Sequence, residues 1–443
     1  MTRIILTTIL FLMGCSTQLS AQRLFRSERP TYTLREDAVR GVRSGSSRFM
    51  NFPNFERVAG STDRSFEYID FTLPETWFEG QIMLHLEADN KPYSVVINGV
   101  ELPIISDFLT PSDHQITKLL TGGKATNRIE IRYGETAESP LSSGMVTSKR
   151  PTNGGLKGAY IYAEPRRRVF DYEVKITRDS SHKFARLQIA AVIENGYNYD
   201  ETITVGFDVY HPDGRLIDYS ARPVVVEGRS RDTIRFSTFI YNADSVRWSP
   251  KSPKLYSVTL LTKIDAVVES YTPIKVAYSE REMRDGVLYN FGERVEIKPF
   301  DFNAKATITE TISELRRVKD AGYNTLRPDY PQPIWFYDLC DKMGFYVIEQ
   351  SSINAPQHAE SRKMGGSPSN DPWLFPEYIE RMMSSYHRVR QHPSVIAFSM
   401  GGNSGNGYNM YKLYEWMKRI EPNRPVIYDG AQGEWNSDIW LNR

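Results

Sequence analysis

The chain has 443 residues, enough for two to four domains on length alone. Its 55 basic and 54 acidic residues leave a net charge of +1, which gives no electrostatic case for a nucleic acid or another polyanion as partner. Aromatic residues make up 12%, a content that suits sugar faces and protein cores alike, so composition by itself names no ligand.

Residues 1–21 read as a targeting segment. Arg3 supplies the positive end, and Ile4–Met13 is an apolar core too short to span a bilayer. Two processing readings stand side by side. Leu12-Met13-Gly14-Cys15 has the form of a bacterial lipoprotein box, which would leave Cys15 as a lipidated N-terminus. Leu19-Ser20-Ala21 before Gln22 has the form of a small-residue cleavage site. Either implies export, to the periplasm or, through a lipid on Cys15, to the outer membrane of a bacterium. That lipid is the one membrane contact expected. With Cys15 in this segment, Cys340 is the only other cysteine, so no disulfide is expected, and its place on a helical pattern suits a small packed residue.

Residues 22–165 are taken as the first domain, and from about Arg64 to Pro165 the chain reads all-β. Phe66, Tyr68, Ile69, Phe71 and Leu73 form one strand-like run, and Ile82, Leu84 and Leu86 alternate with Met83, His85 and Glu87. Tyr93–Ile97 runs into Asn98-Gly99, a strong hairpin turn, and Arg128–Tyr133 follows Thr121-Gly122-Gly123. Many short strands between such turns predict a sandwich.

Residues 166–278 open on Arg166-Arg167-Arg168, read as a solvated linker. Strands are then expected at Asp171–Thr177, Phe184–Ile193, Thr202–Tyr210, Pro223–Val226, Thr233–Phe239 and Leu255–Leu261. Their regular spacing fits an immunoglobulin-like β-sandwich.

Residues 279–443 change period to alternating strand and helix. Val295–Phe302 is the first expected strand. Thr307 and Glu310 form a capping box ahead of a helix face of Ile308, Ile312, Leu315 and Val318. Tyr323–Arg327 and Phe345–Glu349 are strands flanking a helix over Pro333–Met343. Pro376 opens a helix with Ile379, Met382, Tyr386 and Val389 inward, and Val395–Met400 and Pro425–Tyr428 are the fourth and fifth strands. A sixth would begin near Asp438. Repeated βα units predict a parallel sheet whose strand-end turns face the site. The turn after the fourth strand, Gly401-Gly402-Asn403-Ser404-Gly405, therefore puts Asn403 where a functional side chain is expected.

This stretch carries a resemblance. His392, Pro393, Ser394, Val395, Gly401, Ser404 and Gly405 match the acid/base segment of family 2 glycoside hydrolases, the β-galactosidase and β-glucuronidase group. Trp248-Ser249-Pro250 with Pro253, Leu255 and Tyr256 resembles the family's closing signature for its second domain, and Trp335, Leu339, Cys340, Asp341, Gly344, Tyr346 and Val347 fit its barrel scaffold. The resemblance implies a multidomain β plus α/β architecture: an N-terminal jelly-roll β-sandwich, an immunoglobulin-like β-sandwich and an incomplete C-terminal TIM-type (β/α) barrel. The Gly154–Gly158 turn stands where the family closes the first domain.

The resemblance also implies altered chemistry. The family's general acid/base glutamate is replaced by Asn403, and an amide cannot give up a proton near neutral pH. The nucleophile belongs to a seventh strand, beyond this sequence. The family's Asn-x-His becomes Asp301-Phe302-Asn303, Asp329 replaces a histidine after Asn324 and Arg327, and Asn354 and Pro356 replace a magnesium-binding pair. No catalytic residue, metal site or cofactor is therefore expected. Asp301, Arg327, Asp329, Glu349 and Asn403 are the expected carbohydrate-contacting residues, with surface or hydrogen-bonding roles for Asp329, Glu349 and Glu434. The function expected is an exported, catalytically deficient family 2-like protein that binds carbohydrate; the alternative is an active retaining O-glycosidase of which this is a fragment. An open barrel edge would drive association between copies or docking onto the sandwiches.

Overall fold

The computed structural model describes residues 22–439 apart from 29, 42–47, 53–54, 59–65, 89–92, 103–106, 134–138, 144–155 and 180–183. The targeting segment with Cys15 and the Gly154-Gly155 turn lie outside these residues.

The first module is two facing antiparallel five-stranded sheets. One runs in the order Gln22–Arg23, Ser112–Gln115, Gln81–Ala88, Leu156–Glu164, Phe49–Asn51. The other runs Glu56–Val58, Phe66–Phe71, Asn127–Tyr133, Tyr93–Ile97, Val100–Glu101. Ile82, Leu84 and Leu86 meet Val95, Ile97, Ile129 and Ile131 between them. Asn98 and Gly99 both take positive φ, 49° and 83°, as the tight hairpin requires. The alternating residues 82–85 are covered on both faces: Met83 and His85 are buried as fully as Ile82 and Leu84.

Among the described residues, the second module has seven strands. Arg167–Arg178, Ala185–Asn195 and Ser230–Ile240 form one sheet; Leu216–Val226, Glu201–Tyr210, Tyr256–Ile264 and Val267–Val276 form the other. The last of these was not anticipated, and Leu216–Val226 is longer than expected because its largely exposed edge lacks an apolar period. The linker reading of Arg166-Arg167-Arg168 is corrected. Only two residues separate the strands Leu156–Glu164 and Arg167–Arg178. Arg168 is buried because Glu164 and Glu194 each meet its guanidinium at 2.7 Å. A buried cation is tolerated when it is paired in this way.

The third module is a five-stranded parallel sheet: β1 (Pro299–Asp301), β2 (Thr325–Arg327), β3 (Tyr346–Gln350), β4 (Val395–Ser399) and β5 (Val426–Ile427), in that order. The helices are α1 (Ile308–Asp320), α2 (Ile334–Met343), α3 (Phe375–Val389) and α4 (Tyr408–Ile420). Thr307 and Glu310 make the reciprocal capping box at the start of α1. Val347, Phe398 and Val426 pack with Leu315, Phe336, Cys340, Met382, Met410 and Leu413 of the helices. On the other face Ile348, Ile396, Ala397 and Ile427 pack with Trp248 of the second sandwich, Leu288 and Ile439.

Leu288 belongs to an unanticipated three-stranded hairpin over Arg281–Arg284, Val287–Asn290 and Glu293–Arg294. Val295 and Ile297 were read as the start of the first barrel strand, but they pack into this cluster, and β1 is confined to Pro299–Asp301. After β5 the chain turns back, and Asp438 N donates to Val426 O at 2.8 Å. Among the described residues, no helix is long and apolar enough to cross a membrane.

The barrel segment is docked on both sandwiches. Gly344 ends α2 with φ 74°, and a Cβ there would lie 2.4 Å from Pro250 O, so a glycine permits the close approach of helix and sandwich. An N-terminal strap crosses all three modules. Glu28 N donates to Arg388 O of α3, Ser27 N donates to Asp171, and Tyr32 exchanges two backbone bonds with Tyr271. Buried Arg381 of α3 reaches Ser142 of the first module and Ser352 O.

Candidate functional site

The C-terminal strand ends carry a polar cluster centred on Arg327. Its Nε donates to Asp301 Oδ1 at 2.8 Å, and its Nη1 to Asp429 Oδ2 at 3.3 Å. Asp301 ends β1 and Asp429 follows β5, the two outer strands of the sheet. One guanidinium can join them only because the sheet curls into a trough, as a barrel segment must. Arg327 is largely covered, whereas Asp301 is 67% exposed. Two acids on one cation leave an excess of acceptors facing solvent, suited to hydroxyl donors.

Asp329 sits beside this cluster. Its carboxylate accepts from Asn303 Nδ2 at 2.9 Å, and its backbone N donates to Asn303 Oδ1 at 3.0 Å. Gln350 Nε2 donates to Asp329 O at 2.8 Å, which ties the end of β3 to the same loop. Asn403 is exposed in the turn between β4 and α4. The turn is held by Gly402 N donating to Ile353 O (2.7 Å), by Ala355 N donating to Ser404 Oγ (2.9 Å), and by Tyr428 OH donating to Gly405 O. A Cβ on Gly402 would lie 3.1 Å from Asn354 Nδ2, so an asparagine at position 402 would require Asn354 to shift.

Glu349 does not join the cluster, which corrects its grouping with Asp301, Arg327 and Asp329. Its carboxylate points into the helix layer and is fully buried, accepting from Tyr337 OH (2.6 Å) and Ser385 Oγ (2.9 Å). Strand residues alternate faces, and the one-residue offset from Gln350 sends it away from the trough. Burial pushes its pKa up from 4.5 to about 7, against the pull of those hydroxyls and of Arg388. The folded state therefore holds this proton more tightly than the unfolded chain. Its contribution is greatest below about pH 4.5 and is lost as pH rises to about 7. Glu349→Gln is expected to flatten that part of the stability profile and to raise stability at pH 8 by up to about 3 kcal/mol. Urea melts of both proteins at pH 5 and pH 8 check this; a Gln variant less stable at pH 8 would contradict it.

Glu434 lies in the loop after β5. The Tyr411 hydroxyl and Arg362, at 2.8 Å, hold its carboxyl below the usual range. Asp429 was not anticipated, although it directly follows the fifth strand and the rule that singled out Asn403 applies to it equally.

Among the described residues, Asp338, Asp341 and His392 have metal-like spacing, at the opposite end of the sheet. Both Asp341 oxygens are already used, by His392 Nδ1 and by Ser394 N, each at 2.7 Å. The group braces the turn into β4 and does not fit a metal centre.

Two sandwiches followed by a parallel-strand barrel segment, with a polar cluster at its strand ends, define a multidomain β plus incomplete α/β-barrel architecture. Residues 306–442 match the TIM barrel domain of glycosyl hydrolases family 2, and residues 167–273 match a further domain of glycosyl hydrolases family 2. The chain belongs to glycoside hydrolase family 2. It is 25% identical to a β-galactosidase of Priestia megaterium over 374 residues, which cover 81% of this chain and 36% of that protein. It is also 25% identical to a β-galactosidase of Streptococcus thermophilus, over 82% of this chain and 35% of that protein. The chain thus spans about a third of the length of these curated relatives. Among solved structures it resembles a Bacteroides uniformis β-glucuronidase (TM-score 0.68, 16% identity, 92% of this chain and 52% of that one). A family 2 member from Bacteroides cellulosilyticus is similar (TM-score 0.67, 15% identity, 93% and 57%). At these identities the structural likeness speaks for the fold.

Proposed function

We propose an exported family 2 protein that binds carbohydrate at the strand-end cluster and is deficient in glycosidase catalysis. The observation that carries the reading is Asn403. It occupies the turn after β4, where the family pattern has its acid/base glutamate. Without a proton donor there, leaving-group departure loses a contribution of about 10²–10⁴-fold. Asp301, Arg327, Asp329 and Asp429 supply hydrogen-bonding partners for sugar hydroxyls. Export rests on the N-terminal segment, with Cys15 as lipid attachment point in the lipoprotein reading.

The test is an assay of the purified protein on aryl β-glycosides alongside a glycan array. Binding without turnover is the expected result. Turnover at an ordinary enzymatic rate, abolished by substituting one carboxylate, overturns the deficiency. A second reading, an active retaining O-glycosidase of which this chain is one portion, draws on the chain's spanning only about a third of its relatives. A reading frame continuing into a strand that carries a nucleophilic glutamate would favour it.

A further inference from the structure

Trp435 is 55% exposed, yet it is not loosely held. It lies in the loop after β5. Its ring stacks on Tyr411, from the first turn of α4, with centroids 5.3 Å apart and planes at 21°. Tyr414 meets it edge-on at 5.4 Å. Its neighbour Asn436 is buried and forms a reciprocal amide pair with Asn406: each side-chain NH₂ donates to the other's Oδ1, at 2.8 and 3.1 Å. Asn406 belongs to the same turn as Asn403. On the other side Glu434 accepts from Tyr411 OH and pairs with Arg362, which also donates to Asn406 O at 2.9 Å. An indole with one face on a tyrosine and more than half its surface exposed presents its other face to solvent.

We propose that Trp435, backed by Tyr411, is a binding platform for one neutral hexopyranose ring, a subsite on the rim beside the Asn403 turn. Three features select this ligand. An indole face matches the apolar C–H face of a single sugar ring, and offset contact with an aromatic face is favourable beyond the area it buries. Arg362 and Glu434 give the rim donors and acceptors for equatorial hydroxyls, but they neutralise one another, so an acidic sugar gains nothing from Arg362. The platform is a single ring, far below the roughly 1,200 Å² of a stable protein interface. The site is also assembled in advance: the Asn406–Asn436 pair and the Glu434–Tyr411 bond fix the loop, so little side-chain ordering is charged against binding.

The inference rests on the carbohydrate-binding reading, and the test separates the two. Titration calorimetry is run with methyl β-galactopyranoside, methyl β-glucopyranoside and methyl β-glucuronide on wild type, Trp435→Ala, Trp373→Ala and Asp301→Asn. Trp373, 91% exposed before α3, controls for loss of an exposed indole elsewhere. The platform predicts that neutral glycosides bind better than the uronide. It also predicts that Trp435→Ala weakens them about tenfold, while Trp373→Ala binds as wild type and the thermal midpoint is unchanged. Wild-type affinity in Trp435→Ala together with loss in Asp301→Asn overturns the platform and leaves the carbohydrate reading standing. Equal loss in both tryptophan variants also overturns the platform. No binding of any glycoside by wild type overturns both.

Discussion

Replacing Trp248 by alanine is expected to cost about 3–5 kcal/mol and to uncouple the barrel segment from the second sandwich. Trp248 is the largest fully buried side chain among the described residues. It leaves the second sandwich and enters the cluster formed by Ile348, Ile396, Ala397 and Ile427 on the inner face of the sheet. Its ring lies 5.7 Å from that of Tyr346 at the start of β3, and its Nε1 donates to Asp341 O at 3.1 Å. Alanine would leave a cavity walled by β-strand side chains that cannot collapse into it, and would orphan a backbone acceptor. Both effects fall on the seam between modules. Denaturant unfolding followed by fluorescence and by far-UV dichroism is expected to give coincident transitions in wild type and separated ones in Trp248→Ala. A loss below about 1 kcal/mol would show that the seam does not depend on this residue.

Arg388→Ala is expected to destabilise by a similar amount, about 3–5 kcal/mol, for an electrostatic reason. Arg388 of α3 meets Glu28 of the N-terminal strap at 2.6 Å, and both side chains are at least nine-tenths covered. Removing the cation leaves a buried carboxylate with His85 3.9 Å away; His392 and Asp338 also lie within its field. Burial works against charging His85, but bonds to Asp113 and Glu87 and the field of Glu28 hold its pKa up to about 10. The stabilisation from this histidine is complete below its ordinary value of 6.5 and is lost as pH rises through about 10. The Arg388→Ala defect is therefore expected to be smaller at pH 6 than at pH 10. The double variant Glu28→Gln/Arg388→Met is expected to recover most of the loss, because it leaves no unpaired charge. A double variant as unstable as Arg388→Ala would assign the effect to packing instead.

Most of the barrel strands and helices were legible in the sequence because each is bounded by local chemistry: the capping box at Thr307, the glycine at 344, the proline at 376, and the apolar run over 395–398. The hairpin turn at Asn98-Gly99 was legible for the same reason. Misreadings fell where a residue's role depends on what faces it from elsewhere. Val295 and Ile297 carry a strand period but pack beneath the sheet. Arg168 sits in a run of three arginines that reads as a wet linker, until Glu194 from another strand meets it. Within the candidate site, Asp301, Arg327 and Asp329 were picked out by the family motifs they match or replace. Glu349 could not be placed, because a one-residue difference along β3 decides which face it occupies.

By itself the sequence determined the order of the modules, the period of each, the resemblance that identifies the family, and the amide at position 403. These are properties of neighbours along the chain, set by backbone preference and side-chain spacing. Tertiary structure alone decided that Arg327 joins Asp301 to Asp429 across the trough, that Glu349 faces the helices, that Glu28 and Arg388 bind the strap to the barrel, and that Trp435 stands exposed on Tyr411. The physical reason is that charge pairing, desolvation and ring stacking act over a few ångströms in space between residues as many as 360 positions apart, as Glu28 and Arg388 are. No local period in the chain records such distances.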